Sequence, residues 1–265
     1  RCRRAATDEA VNMRDVHRTI ADSVLLTDKF LPMVERLLAL KKEPTGREVA
    51  VVGAGPTGLT CAYYLALLGH AVTVYDSRPE AGGMLRYALP EYRLPKAVLA
   101  KELELIERVG VRFQLGTPVG EAPSLNDLAH QYDAVFLAIG TWKEAWVYLP
   151  GTELTGVLPA LPFLEGVARD EKLPVGRRVV VIGGGNAAID SARTARRTGA
   201  EVTVIYRRER KDMPAIPEET EAAEDEGVKY LFLATPHRIV ANEDGGVQAS
   251  APAPCSLAMT ERQSR

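Results

Sequence analysis

VVVIGGGNAAIDSARTARRTGAEVTVIYRR, residues 179–208, has a near copy earlier in the chain: VAVVGAGPTGLTCAYYLALLGHAVTVYDSR, residues 49–78. The two align without a gap at an offset of 130 positions, Gly53 on Gly183, Gly55 on Gly185, Gly69 on Gly199, and VTV 72–74 on VTV 202–204. Each copy opens on a short apolar run that breaks at glycine, continues in a helical pattern, and closes on a second apolar run. Parallel strands need a crossover of a dozen or more residues, so strand, helix, strand at this spacing is a βαβ unit. The chain carries two of them.

Both units hold the glycine pattern of a dinucleotide-binding turn, GxGxxG at Gly53, Gly55 and Gly58 and GxGxxA at Gly183, Gly185 and Ala188. The first glycine makes the tight turn, the second lets a pyrophosphate approach the backbone, and the third position must be small so that helix and strand pack closely. The phosphates then lie at the positive end of the following helix. The expected fold is therefore α/β with two Rossmann-like dinucleotide-binding domains, preceded by an N-terminal helical segment.

The copies diverge where a dinucleotide would be told apart. Asp76, 23 residues after Gly53, ends the second strand of the first copy, where a carboxylate can accept from a ribose 2′-hydroxyl. The aligned residue in the second copy is Tyr206, followed by Arg207 and Arg208. Guanidinium groups suit a 2′-phosphate, which points to NADPH, with NADH as the alternative if the arginines are only a solvated basic loop. FAD on the first turn and a nicotinamide nucleotide on the second would be an economical reason for the duplication. Such chemistry is carried by cofactors, so no catalytic side chain is expected.

Outside the repeat, residues 8–42 read as helical and KKEPTGRE, 41–48, as a linker. PKAVLAKELELIERVG, 95–110, reads as an amphipathic helix and AVFLAIG, 134–140, as a buried strand. The pattern breaks again at Leu149, Pro150 and Gly151. This gives a helical segment at 1–46, an FAD-binding domain at 47–148 and an NAD(P)H-binding domain at 149–265.

A net charge of -2, with 46% hydrophobic and 26% charged residues over 265 positions, argues for a globular chain without a strong field for nucleic acid or membrane surface. The apolar runs are strand-sized and no signal core follows the N-terminus, so a cytoplasmic location is expected. Cys2, Cys61 and Cys255 form no CxxC pair and no disulfide framework, and no metal site is expected within the chain. YRLPK, 92–96, has the YxxxK spacing of a short-chain dehydrogenase dyad, but that dyad needs a helix and Pro95 breaks one. The four histidines are scattered, and the acidic PEETEAAEDEG, 217–227, reads as a solvated helix face.

Five segments together resemble the small (beta) subunit of glutamate synthase and related NAD(P)H-dependent FAD oxidoreductases, including modules of dihydropyrimidine dehydrogenase and ferredoxin:NADP⁺ transhydrogenase. They are VAVVGAGPTGLTCA, GGMLRYALPEYRLPK (82–96), YDAVFLAIGT (132–141), VVVIGGGNAAIDSARTA and YRRERKDMPAIPEE (206–219), in one order over about residues 8–240. The resemblance implies that Gly55, Pro56, Thr57, Gly58 and Leu59 lie on the FAD pyrophosphate and Asp76 on its ribose. Gly83 and Met84 would come near the flavin, Arg93 would make a polar contact to FAD, and Val119 would pack by the adenine. Gly140 is counted with these cofactor-binding residues. Gly185, Asn186, Ala187 and Ala188 would cradle the NADPH phosphates, with Arg207 and Arg208 at the 2′-phosphate. The family has glycine where this chain has Ala88.

The resemblance also implies a longer protein. A C-terminal Gly-Asp segment completes the flavin site in the family, whereas ASAPAPCSLAMTERQSR, 249–265, matches nothing of the kind. CRRAATDEAVNMRDVHRTIAD, 2–22, looks like the piece that follows an iron–sulfur domain, with Cys2 as a remnant ligand; a [4Fe–4S] cluster needs four such ligands and belongs to the longer protein. The expected function is hydride transfer from NADPH to FAD, with electrons passed to iron–sulfur clusters or to a partner such as a glutamate synthase large subunit or a ferredoxin. The alternatives are an NADH-dependent version serving a ferredoxin or formate dehydrogenase complex, and a redox-silent nucleotide-binding subunit.

Overall fold

The computed structural model describes residues 2–8, 10–143, 149–173, 175–241 and 247. Cys255, the tail from 248 onward and Tyr148, the last residue of the expected FAD-binding domain, lie outside the described residues. The chain divides into two compact units, Arg1–Arg86 with Glu91–Gly140, and Tyr87–Pro90 with Thr141–Arg265.

The first unit begins with two helices, α1 (Met13–Leu25) and α2 (Phe30–Ala39). Asn12 starts α1 by accepting from the Asp15 N–H at 3.2 Å, a side-chain N-cap. Leu25, Phe30 and Val34 bury themselves against Val98 and Leu105 of a later helix. The sheet comprises β1 (Glu48–Val52), β2 (Ala71–Tyr75), β3 (Arg112–Gln114) and β4 (Ala134–Leu137), connected through α3 (Pro56–Leu67), α4 (Met84–Tyr87), α5 (Lys96–Arg108) and α6 (Leu125–Gln131). Its order is β3-β2-β1-β4 and every pairing is parallel. Val51, Val72, Val74, Ala62 and Ala66 are fully enclosed between sheet and helices, as a parallel sheet requires.

The run 134–140 corrects its sequence reading. β4 is an edge strand, with Phe136 39%, Leu137 55% and Ile139 68% exposed. An apolar run shows that a strand forms, but it does not show whether that strand has neighbours on both sides.

The second unit contains α7 (Ala160–Ala168), β5 (Arg178–Ile182), α8 (Asn186–Arg197), β6 (Glu201–Tyr206), α9 (Pro217–Asp225) and β7 (Lys229–Phe232). Its parallel sheet has the order β5-β6-β7. The repeat holds at the level of register: Val49 pairs with Val72 and Val179 with Val202, and all five β1–β2 pairs recur 130 positions later in β5–β6. α3 and α8 start and stop at the same offset. The correspondence ends beyond the second strand, where α9 and β7 arrive sooner than α5 and β3 do. α9 is a solvated face only in part: Glu218, Glu221 and Asp225 are exposed, but Thr220 and Ala223 are buried and Glu219 and Glu224 are paired.

Candidate dinucleotide-binding site

The three glycines of the first turn stand in three different settings. Gly53, at φ +111°, lies in a region that favours glycine, and a Cβ there would overlap the Ala138 carbonyl at the end of β4. Gly58 faces the strand: a Cβ would overlap the Gly53 carbonyl oxygen and stand 3.2 Å from Val51 Cγ1. Gly55 is different. Its φ of -82° suits any residue, and the nearest heavy atom to an added Cβ is Gly83 Cα at 3.9 Å. Nothing within its own unit asks for glycine at this position, which fits a group approaching the backbone from outside the chain.

The second turn repeats this logic. Gly183 has φ +138°, and a Cβ on Gly185, at φ -90°, would meet no heavy atom of the described residues within 4 Å apart from its chain neighbours. Both helices start directly on these turns. The first helix-start N–H groups to find backbone acceptors are those of Leu59 in α3, bonded to Gly55 O at 2.9 Å, and of Ala188 in α8, bonded to Gly185 O at 3.0 Å. The N–H groups ahead of them are the ones an anion would bond. The open second glycine and these donors fit a dinucleotide pyrophosphate on each turn.

A loop closes each turn from the far side. Gly82 N–H donates to Ala54 O at 2.9 Å, and Ala215 N–H donates to Gly184 O at 3.1 Å, so the middle residue of each GxG is held by the segment that follows the second strand. Gly83 lies so close over the first turn that a Cβ would come within 2.7 Å of Gly55 Cα. Met84 opens α4 beside it, and Arg86 braces the loop by donating to Ala81 O at 2.7 Å and pairing with Glu80. Lys96 Nζ donates to Leu85 O at 2.9 Å, and its pKa is held below the usual lysine range by burial, partly offset by Glu91. Lys96 begins α5 while Tyr92 precedes that helix, so the YxxxK spacing builds no helical dyad here.

The two strand ends differ as the sequence suggests. Asp76 accepts from Ala54 N–H at 2.6 Å and from Arg78 N–H at 2.8 Å, one bond to each oxygen, which leaves lone pairs for ribose hydroxyls. Tyr206 instead lays its ring against Gly184, where a Cβ would meet ring carbon Cε2 at 2.6 Å, and its hydroxyl donates to Asp212 O at 2.7 Å. Among the described residues, neither the Arg207 nor the Arg208 side chain has a hydrogen-bond or ion-pair partner, and both are exposed.

The structure gathers Gly53 to Leu59, Asp76, Gly83, Met84 and Gly140 around the carboxyl ends of β1, β2 and β4, where the chain order of the sheet reverses; open α/β sheets bind ligands there. Val119 packs with Val52, Tyr75 and Leu128 two residues beyond Thr117, whose N–H bonds Asp76 O. Arg93 sits half-buried in the turn before α5, its carbonyl accepting from Arg18 Nη1 at 3.5 Å. The Asn186 side chain accepts from Ile216 N–H at 2.9 Å and so fastens the closing loop, a role its place in the motif does not announce. Cys61 packs on the first core, and burial pushes its thiol pKa up; Cys2 is exposed ahead of a 3₁₀ turn. Among the described residues no helix is long and apolar enough to cross a membrane.

The chain is 38% identical over 249 residues to NADPH-Fe(3+) oxidoreductase subunit beta of Geobacter sulfurreducens, covering 92% of this chain and 36% of that protein. It is 41% identical over 215 residues to the glutamate synthase [NADPH] small chain of Escherichia coli, covering 77% of this chain and 46% of that one. It thus spans between about a third and a half of these curated relatives. Among solved structures, FprA of Mycobacterium tuberculosis in complex with NADPH matches with a TM-score of 0.63 at 20% identity, covering 78% of this chain and 67% of that one. Thioredoxin reductase of Lactococcus lactis matches with a TM-score of 0.54 at 20% identity, covering 76% and 69%. These two likenesses show the fold: two dinucleotide-binding units of α/β type. The profile of the pyridine nucleotide-disulphide oxidoreductases matches residues 12–129 and 48–254, and the chain belongs to that family.

Proposed function

We propose that the chain is the dinucleotide-binding part of a larger NADPH-dependent flavin oxidoreductase similar to the glutamate synthase small chain, with FAD on the first turn and NADPH on the second. The observation that carries this reading is the pairing of two open glycine turns with opposite strand ends, a carboxylate at Asp76 and guanidiniums at Arg207 and Arg208 that have no partner among the described residues. When bound, NADPH supplies a hydride that FAD accepts and passes on as single electrons. The chain's own part is to bind and orient. The starts of α3 and α8 hold the two pyrophosphates, Asp76 fixes the flavin nucleotide's ribose, and Gly82 to Met84 close the first turn from the flavin side.

The names of the relatives, subunit beta and small chain, support a partner subunit, and an electron-accepting subunit or iron–sulfur domain is the partner this reading calls for. A cytoplasmic location goes with that reading. The cysteine inventory argues against a dithiol relay inside the chain, since no CxxC pair is present. Equilibrium binding to the full-length protein tests the proposal. One FAD and one NADP⁺ per chain, neither displacing the other, is the expected result; competition for a single site contradicts it.

A further inference from the structure

RRERK, 207–211, carries four basic residues that do not behave alike. Arg210 forms a two-pronged pair with Glu224, Nη1–Oε1 2.6 Å and Nη2–Oε2 2.7 Å, and Lys211 pairs with Glu209. Among the described residues, the Arg207 and Arg208 side chains have no hydrogen-bond or ion-pair partner. The loop that presents them is pinned at its far end by Tyr206 Oη on Asp212 O, and beneath by Leu233 N–H on Arg208 O at 3.2 Å.

The Arg210–Glu224 pair is nearly half exposed, at 46% and 37%, so it adds little to stability. Its parallel bonds fix a direction instead. Glu224 lies in the last turn of α9, and α8 grips that helix at both ends, through Glu219 in its first turn and Glu226 at its C-cap. Arg193 pairs with Glu219 and with Glu226 (2.7 Å), Arg197 reaches Glu226 at 2.7 Å, and Arg196 Nε donates to Glu226 O at 2.7 Å. α8 is the helix whose start forms the second glycine turn. Ion pairs therefore tie α8, whose start forms the second turn, to Glu219 and Glu226 of α9, and a separate ion pair two residues before Glu226 ties Glu224 to the loop carrying Arg207 and Arg208.

We propose that Glu224 is a positioning residue for coenzyme choice: through Arg210 it sets loop 207–212 so that Arg207 and Arg208 meet the 2′-phosphate of a dinucleotide on the second turn. This rests on the reading of that turn as an NADPH site. The 2′-phosphate is isolated by measuring calorimetric affinities of the full-length protein for adenosine 2′,5′-bisphosphate and for 5′-AMP.

The Arg207→Ala/Arg208→Ala variant is expected to lower the bisphosphate-to-AMP affinity ratio by about a hundredfold, as loss of two charge-assisted contacts implies. Glu224→Gln is expected to lower it about tenfold with AMP affinity unchanged, and the Arg210→Glu/Glu224→Arg exchange to restore it. If the arginine variant collapses the ratio but Glu224→Gln leaves it intact, or weakens both ligands equally, Glu224 does not position the loop and the proposal fails while the NADPH reading stands. An exchange variant as weak as Glu224→Gln also overturns it. A ratio unmoved by the arginine variant removes the NADPH reading itself.

Discussion

Gly55→Ala and Gly58→Ala make the same chemical change three residues apart, and the structure assigns them opposite consequences. At Gly58 the new methyl overlaps the Gly53 carbonyl oxygen and presses Val51 Cγ1 at 3.2 Å. The obstacle is backbone, so no rotamer change relieves it, and α3 must lift from β1. Overpacking of this kind costs about 1–3 kcal/mol, and the upper half of that range applies here. Alanine's better helix propensity returns up to about 1 kcal/mol. The net cost of roughly 2 kcal/mol corresponds to a Tm drop of about 4–8 °C for a domain of this size. At Gly55 the nearest atom is 3.9 Å away and φ is ordinary, so the folded chain accepts the methyl. A weaker N-cap offsets a stiffer unfolded chain, each worth under about 1 kcal/mol, and Tm stays within about 2 °C. With FAD on this turn as proposed, the methyl stands where its pyrophosphate approaches, and FAD affinity is expected to fall at least about tenfold, or ~1.4 kcal/mol. Thermal scans of the two apo variants, paired with equilibrium dialysis against FAD, separate these effects. The reasoning is refuted if both variants lose stability alike, or if Gly55→Ala binds FAD as tightly as the parent.

Gly185→Ala, with no heavy atom within 4 Å of the new methyl, is expected to leave Tm and FAD binding intact while weakening NADP⁺ at least about tenfold, which a dye-free calorimetric titration would show. Arg193→Met leaves the partly buried Glu219 and Glu226 short of a countercharge. Breaking such a network costs about 3–5 kcal/mol, which thermal unfolding at pH 7 would register. Burial pushes the Glu226 carboxyl upward, but Arg193 and Arg197 outweigh it and hold the pKa below the usual glutamate range. Its contribution is therefore complete above the unfolded value of about 4.3 and is lost as pH falls through the lower folded value. The Tm gap between parent and Glu226→Gln should be full at pH 7 and close below about pH 4.

Those features were legible in the sequence that depend on residues near one another in the chain. The 130-position repeat fixed both βαβ units, and the contrast of Asp76 with Tyr206 is visible at one aligned position. What escaped depends on chain segments meeting across distance. Arg193 stands 33 positions from Glu226, and an acidic helix beside basic residues reads as solvated until both are folded together. The hydrogen bond from Ile216 to Asn186 spans 30 positions and turns a motif residue into a fastening for the closing loop. β4 was misread as buried because hydrophobicity reports a strand's composition and not its rank in the sheet.

In the proposed function, reducing equivalents enter at the second turn, from a 2′-phosphorylated nicotinamide, and reach a flavin on the first. An anaerobic titration of the FAD-loaded protein, with NADPH and separately with NADH, tests it by following the flavin absorbance. Bleaching by NADPH at much lower concentration than by NADH is the predicted result. Equal or more efficient bleaching by NADH would contradict the role given to Arg207 and Arg208, and a flavin reduced by neither would contradict the relay itself.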